Sequence, residues 1–146
     1  MSNYELHRGD CLEVLRTMPD NSIDAIVTDP PYGLSKEPDM AEVLKHWLAG
    51  DDYVHKGKGF MGKSWDSFVP GPAVWRECLR VLKPGGHLVS FFGTRTYDMG
   101  VLAIRLAGFE VRDQIYNARV PILRLREIFD GIDFEIESAC LDFTIP

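Results

Sequence analysis

Apolar positions along this chain follow two rhythms, one of strand period and one of helix period. Ile23-Asp24-Ala25-Ile26-Val27-Thr28 is a mostly apolar run of strand length that stops at Asp29-Pro30-Pro31-Tyr32, since two prolines cannot donate to a ladder. Before it, Tyr4 to His7 reads as a strand, followed by a short helix from Cys11 to Met18. Leu12, Leu15 and Met18 share one face of that helix, and Pro19-Asp20-Asn21 ends it. After Tyr32 the pattern loosens, with one helix-like stretch from about Met40 to Leu48. Pro70-Gly71-Pro72 then opens a helix with Val74, Trp75, Cys78, Leu79 and Leu82 inward, closed by Lys83-Pro84-Gly85-Gly86. His87 to Phe92 is a buried-type strand, and Gly93-Thr94-Arg95-Thr96 is a polar turn able to cap the next helix. That helix runs from Tyr97 to Ala107 and ends at Gly108. Phe109 to Tyr116 reads as a last strand.

Strand and helix in repeated alternation predict an α/β fold with a largely parallel sheet. Ligands of such sheets bind at the carboxyl ends of the strands. Three segments fall at such ends: Gly9-Asp10, Asp29 to Tyr32, and Gly93 to Thr96.

Composition narrows the classes. A chain of 146 residues is expected to form one domain. No apolar run nears the roughly 18 residues of a membrane helix, and the polar start is no signal peptide. Cys11, Cys78 and Cys140 are odd in number and widely spaced, which predicts neither a disulfide framework nor a zinc site and suits a reducing cytoplasm. His7, His46 and His87 lack metal-ligand spacing, so no metal is expected. The net charge of −6 argues against a simple duplex coater but leaves room for a local basic patch.

Asp29-Pro30-Pro31-Tyr32 after an apolar strand resembles the signature of methyltransferases acting on exocyclic amines of DNA bases, adenine N6 or cytosine N4. Taken alone, the four residues would also suit a strand-ending turn. Their neighbours extend the resemblance over residues 4 to 116: Gly9-Asp10-Cys11-Leu12-Glu13, Gly59 to Lys63 with Trp65-Asp66, Trp75 to Gly86, Phe92 to Thr96 and Ala107-Gly108-Phe109 are similar to phage-type and prophage-type members.

The resemblance implies a Rossmann-like class I methyltransferase sheet with helices on both faces, and S-adenosyl-L-methionine as cofactor. Asp29 and the Pro30 carbonyl would accept from the target amine, Pro30 and Pro31 would hold that carbonyl still, and Tyr32 would offer a flat face to an extruded base. Asp10, Cys11 and Asp29 would lie at the cofactor; Asp10 suits equally the N-cap of the helix it precedes. Between 33 and 66 a loop-rich insertion carries Lys56, Lys58, Phe60 and Lys63 beside Tyr53, His55 and Trp65. Cations and rings suit contact with DNA, although a solvated loop around a buried Trp65 would look the same in sequence. Thr94, Arg95 and Thr96 could touch DNA backbone or cofactor, or only cap the helix that follows.

The sequence also departs from that family. It contains no Phe-x-Gly-x-Gly segment of the kind that holds the methionine part of the cofactor, and residues 117–146 form a divergent tail. The expected sheet therefore lacks its central strands beside the catalytic strand and leaves backbone groups unpaired. The tail alternates like an edge strand, not a central one, so either the strands before Gly9 and Asp29 pair directly or a second copy of the chain could complete the sheet or the cofactor site. The leading expectation is DNA adenine-N6 methylation; the rival is a catalytically inactive remnant or DNA-binding module.

Overall fold

The computed structural model describes residues 4–56, 62 and 64–114. Its elements run α1 (Cys11–Thr17), β1 (Ile23–Thr28), α2 (Met40–Ala49), a short 3-10 helix (Ser64–Asp66), α3 (Pro72–Val81), β2 (Leu82–Ser90) and α4 (Tyr97–Leu106). Lys58, Phe60, Lys63 and the tail from 117 lie outside the described residues.

Local chemistry sets the helix ends. The Asp39 carboxylate accepts from Ala41 N at 2.9 Å to open α2, and Gly50 closes it in the left-handed conformation at φ 87°. Pro72 sits in the first turn of α3, where a missing N–H costs nothing. The α1–β1 connection is tied to α3: Asn21 N and Ser22 N donate to the Arg80 and Val81 carbonyls at 3.0 and 2.8 Å. Arg80 itself donates to Leu15 O at 2.8 Å and Met18 O at 2.9 Å, and pairs with Asp20 and Glu77. One guanidinium thus closes α1, holds it on α3 and sets where β1 begins.

β1 and β2 pair in parallel, with Ala25, Ile26, Val27 and Thr28 opposite His87, Leu88, Val89 and Ser90. With α3 between them they form the strand–helix–strand unit expected of a Rossmann-like sheet, and among the described residues that sheet has two strands. Ile23 pairs with Leu82, so Lys83 to Gly86 bulge out of β2. This is the anticipated Lys-Pro-Gly-Gly turn, placed inside a strand, with Gly85 at φ 82°.

The core lies where α2, α3 and α4 meet the strand ends. Trp47 and Trp75 are almost fully buried with Val43, Phe68, Val69, Phe92 and Ile104, and such side chains contribute roughly 2–3 kcal/mol each. Leu79 departs from the expected inward face and is 38% exposed, at the rim beside Gly108.

Two expected strands are corrected. Tyr4 to His7 forms no ladder, with Leu6 86% exposed, and Phe109 to Gln114 forms none within the described residues. A strand-like sequence becomes a strand only where a neighbouring edge accepts it.

Candidate active site

Asp29-Pro30-Pro31-Tyr32 lies directly past the carboxyl end of β1, as expected. The ladder continues one step beyond the paired residues, since Phe91 N donates to Thr28 O at 3.1 Å. Asp29 is exposed and Pro30 buried. The Tyr32 hydroxyl donates to Asp29 Oδ1 at 2.6 Å, so the phenol steadies the carboxylate through one oxygen and leaves the other for a ligand.

Two outside segments grip this loop, and sequence reasoning assigned neither of them that task. On one side Thr96, 3% exposed, donates its hydroxyl to the Tyr32 carbonyl at 2.5 Å. Thr96 is the N-cap residue of α4, but its side chain caps nothing there; it holds the Asp29–Tyr32 loop instead. On the other side Asp66, 7% exposed, accepts from Gly33 N at 3.1 Å. Gly33 stands at φ 65°, and a Cβ there would lie 3.0 Å from Phe68 Cα and 3.1 Å from Val69 N. Both the handedness and the space demand glycine. Ser35 Oγ adds a bond to Ser67 O at 2.9 Å. The only sequence signal for this grip was the Trp65-Asp66 pair within the resemblance.

A cleft of about 560 Å³ runs along β1, lined by His7, Gly9, Cys11, Ile23, Ala25 to Pro31, and the α3 residues Val74, Trp75 and Cys78, among others. It brings Gly9 and Cys11 to the same hollow as Asp29. Asp10 flanks it: its Oδ1 accepts from Leu12 N at 2.9 Å and Glu13 N at 3.3 Å, so the N-cap role is realised. Burial and then the Asp10 charge raise the Cys11 thiol above its ordinary value. Burial, with Cys11 and Glu77 nearby, pushes Cys78 up to about 11, which leaves both thiols protonated at neutral pH.

The cleft tests the cofactor expectation. Its apolar wall and volume suit an adenosyl group, and Asp29 suits a sulfonium. Among the described residues no Lys or Arg lines it, so the carboxylate of a methionine tail would meet no permanent cation there.

The expected DNA contacts are scattered. Thr94 and Arg95 are exposed at the turn above the reaction loop, and Arg95 Nη2 reaches Ser35 O at 3.4 Å and Glu37 Oε1 at 3.5 Å. Lys56 is exposed after the Tyr53 and His55 rings, which pack on Phe68 at centroid distances of 6.4 and 6.3 Å. Trp65 is not buried as the solvated-loop reading required; it is 67% exposed. No group of three or more metal-binding side chains occurs among the described residues, and none of their helices is long and apolar enough to cross a membrane.

Comparison with known proteins places this geometry. A family model described as DNA methylase matches residues 23–127, running into the divergent tail. The type II methyltransferase M.HinfI of Haemophilus influenzae is 33% identical over 119 residues, covering 79% of this chain and 32% of that protein. M.BamHI of Bacillus amyloliquefaciens is 38% identical over 85 residues, 58% of this chain and 16% of that one. M.BglII of Bacillus subtilis is 29% identical over 96 residues, 66% and 21%. The chain thus spans a third or less of these relatives' length. The solved structure of TTHA0409 from Thermus thermophilus superposes with a TM-score of 0.49 at 22% identity, over 96% of this chain and 52% of that one.

Proposed function

This chain belongs to the DNA methylase family, and on that premise we propose that it carries the reaction centre for methylating an exocyclic amine of DNA, adenine N6, with S-adenosyl-L-methionine as donor. The observation that carries the reading is the clamped Asp29-Pro30-Pro31-Tyr32 loop, held by Thr96 and Asp66 at the mouth of a cleft shared with Gly9 and Cys11.

An adenine amine is a weak nucleophile because its lone pair is delocalised into the ring. Asp29, through the oxygen that Tyr32 leaves free, accepts one amine hydrogen, and the Pro30 carbonyl accepts the other. Both acceptors stabilise positive charge as it develops on nitrogen, and only the part of that interaction that grows toward the transition state raises the rate. Gly9 and Cys11 would wall the adenosyl part of the donor, with Asp10 at the rim, and the donor would supply an electrophilic methyl carbon on a sulfonium. Tyr32, backed by Gly93, presents its ring to the extruded base. Lys56, Lys58, Phe60, Lys63, Thr94 and Arg95 serve DNA backbone and bases.

Single-molecule sequencing of DNA from cells expressing the chain tests the reading and reports base and sequence context together. Methylated adenine is the expected product; methylated cytosine would move the assignment to N4, and unmodified DNA would overturn activity. Asp29→Ala should lower single-turnover methyl transfer by about 10²–10³ while leaving the fold intact. Near-normal transfer by that variant would remove Asp29 from the role.

A further inference from the structure

Trp65 stands apart from the other tryptophans. The chain has three; Trp47 and Trp75 are 2% and 1% exposed, whereas Trp65 is 67% exposed on its short 3-10 helix. An indole left in water forfeits the burial that normally repays its size, and tryptophan is enriched at contact surfaces.

Its place relative to the reaction centre is fixed, not incidental. The next residue, Asp66, is buried and holds Gly33 N at 3.1 Å, and Gly33 follows Tyr32. From Trp65 Cα to Tyr32 Cα the path through this one hydrogen bond is at most roughly 13 Å. Phe68, two residues past Asp66, lies against the same Gly33. Tyr32 cannot shift against the Trp65 backbone without breaking the Asp66 bond.

We propose that Trp65 stacks on a nucleobase of the DNA near the one delivered to Asp29 and Tyr32. The inference rests on the DNA-directed reading above. Successive bases on a strand are about 3.4 Å apart, so a strand that delivers one base to Tyr32 has its next few bases within the distance that separates Tyr32 from Trp65. Every base has a π-face, and stacking of this kind is indifferent to sequence. Trp65 is flanked directly by Ser64 and by Asp66-Ser67, not by further apolar residues, which suits a single inserted or stacked ring more than a protein interface built on a contiguous apolar patch. Asp66 then links the DNA contact mechanically to the loop that does the chemistry.

The whole chain supplies its own reporter, because Trp65 is its solvent-exposed indole. A fluorescently labelled mixed-sequence duplex with one unpaired adenine is titrated against the full chain, with duplex anisotropy and tryptophan emission read together. The unpaired base lowers the cost of extrusion. Binding should quench the exposed, red-shifted emission, and Trp65→Phe should lose that signal while the buried indoles report an intact fold. Trp65→Ala should weaken binding by roughly 5- to 150-fold, and Trp65→Phe by less because it keeps a ring. Duplex binding that leaves Trp65 emission and Trp65→Ala affinity unchanged overturns this inference and leaves the DNA-directed reading standing. Absence of duplex binding overturns both. Emission that shifts with protein concentration in the absence of DNA assigns Trp65 to self-association and overturns the stacking role.

Discussion

Asp66 shows how much one buried side chain can organise. Its carboxylate accepts from Gly33 N, and Gly33 has no room for any other residue. Asp66→Ala should cost about 1–3 kcal/mol in urea unfolding, because a buried N–H loses its acceptor, and should speed amide exchange at Gly33. Asp66→Asn keeps an oxygen there and should recover most of the loss. Equal damage by both would mean that the bond to Gly33 is not what Asp66 contributes. Cys78 offers a second test. Burial raises its thiol from the ordinary 9.0 to about 11, so between those values the folded chain holds a proton that the unfolded chain has lost. The stability this gives is complete below pH 9 and disappears as pH rises through 11, by up to roughly 3 kcal/mol. Alkaline unfolding curves should show that slope in the native chain and less of it in Cys78→Ala; parallel curves would contradict the assignment. The position of Asp29-Pro30-Pro31-Tyr32 past the end of β1 was legible in sequence, because two prolines end a ladder wherever they stand. The Asp66 and Thr96 grips were not, because both span the fold: Gly33 and Asp66 lie 33 residues apart, and Tyr32 and Thr96 lie 64 apart.

Among the elements, those with self-contained signals were read closely. α2 carries its own caps in Asp39 and Gly50, α3 its proline, and β1 its abrupt Pro-Pro end, and each lies within a residue or two of expectation. Tyr4 to His7 failed because strand identity resides in a partner, and Leu79 because an amphipathic face has edges that a sequence pattern does not draw. The contact between α4 and the end of β2 makes a sharper case. Gly100 is buried in α4, and a Cβ there would sit 2.2 Å from Phe92 Cε1 and 2.6 Å from Cδ1. Gly→Ala inside a helix ordinarily gains about 1 kcal/mol, while overpacking costs about 1–3 kcal/mol. Gly100→Ala should therefore be net destabilising by up to about 2 kcal/mol in thermal melts, and Phe92→Leu in the same chain should relieve part of the damage. A stabilised Gly100→Ala would mean that Phe92 can move aside freely. Phe92 precedes Gly93, which packs on Tyr32, so the same swap is expected to disturb the reaction loop.

At the scale of the whole molecule, the free side of β1 governs what the site can hold. β1 pairs with β2 on one side, the cleft runs along the strand, and Val27 is 69% exposed on it despite its apolar side chain. The sequence contains no Phe-x-Gly-x-Gly segment, and among the described residues β1 is flanked by an apolar hollow without a Lys or Arg on its wall. On the proposed reading an adenosyl ring would find surface there and a sulfonium would find Asp29, but the carboxylate and ammonium of a methionine tail would find no full set of fixed partners among the described residues. Each charged contact left unmade forfeits about 1.5–3 kcal/mol, and two of them weaken binding by roughly a hundredfold or more. Isothermal titration of the purified 146-residue chain with S-adenosyl-L-methionine should therefore give much weaker binding than a relative that carries the glycine-rich segment. Low-micromolar affinity in the monomer would mean that residues beyond the described ones have rebuilt the tail's partners, and the bare cleft wall would not limit binding. Affinity that appears only as the chain self-associates would place those partners on a second copy, seated along the free edge of β1.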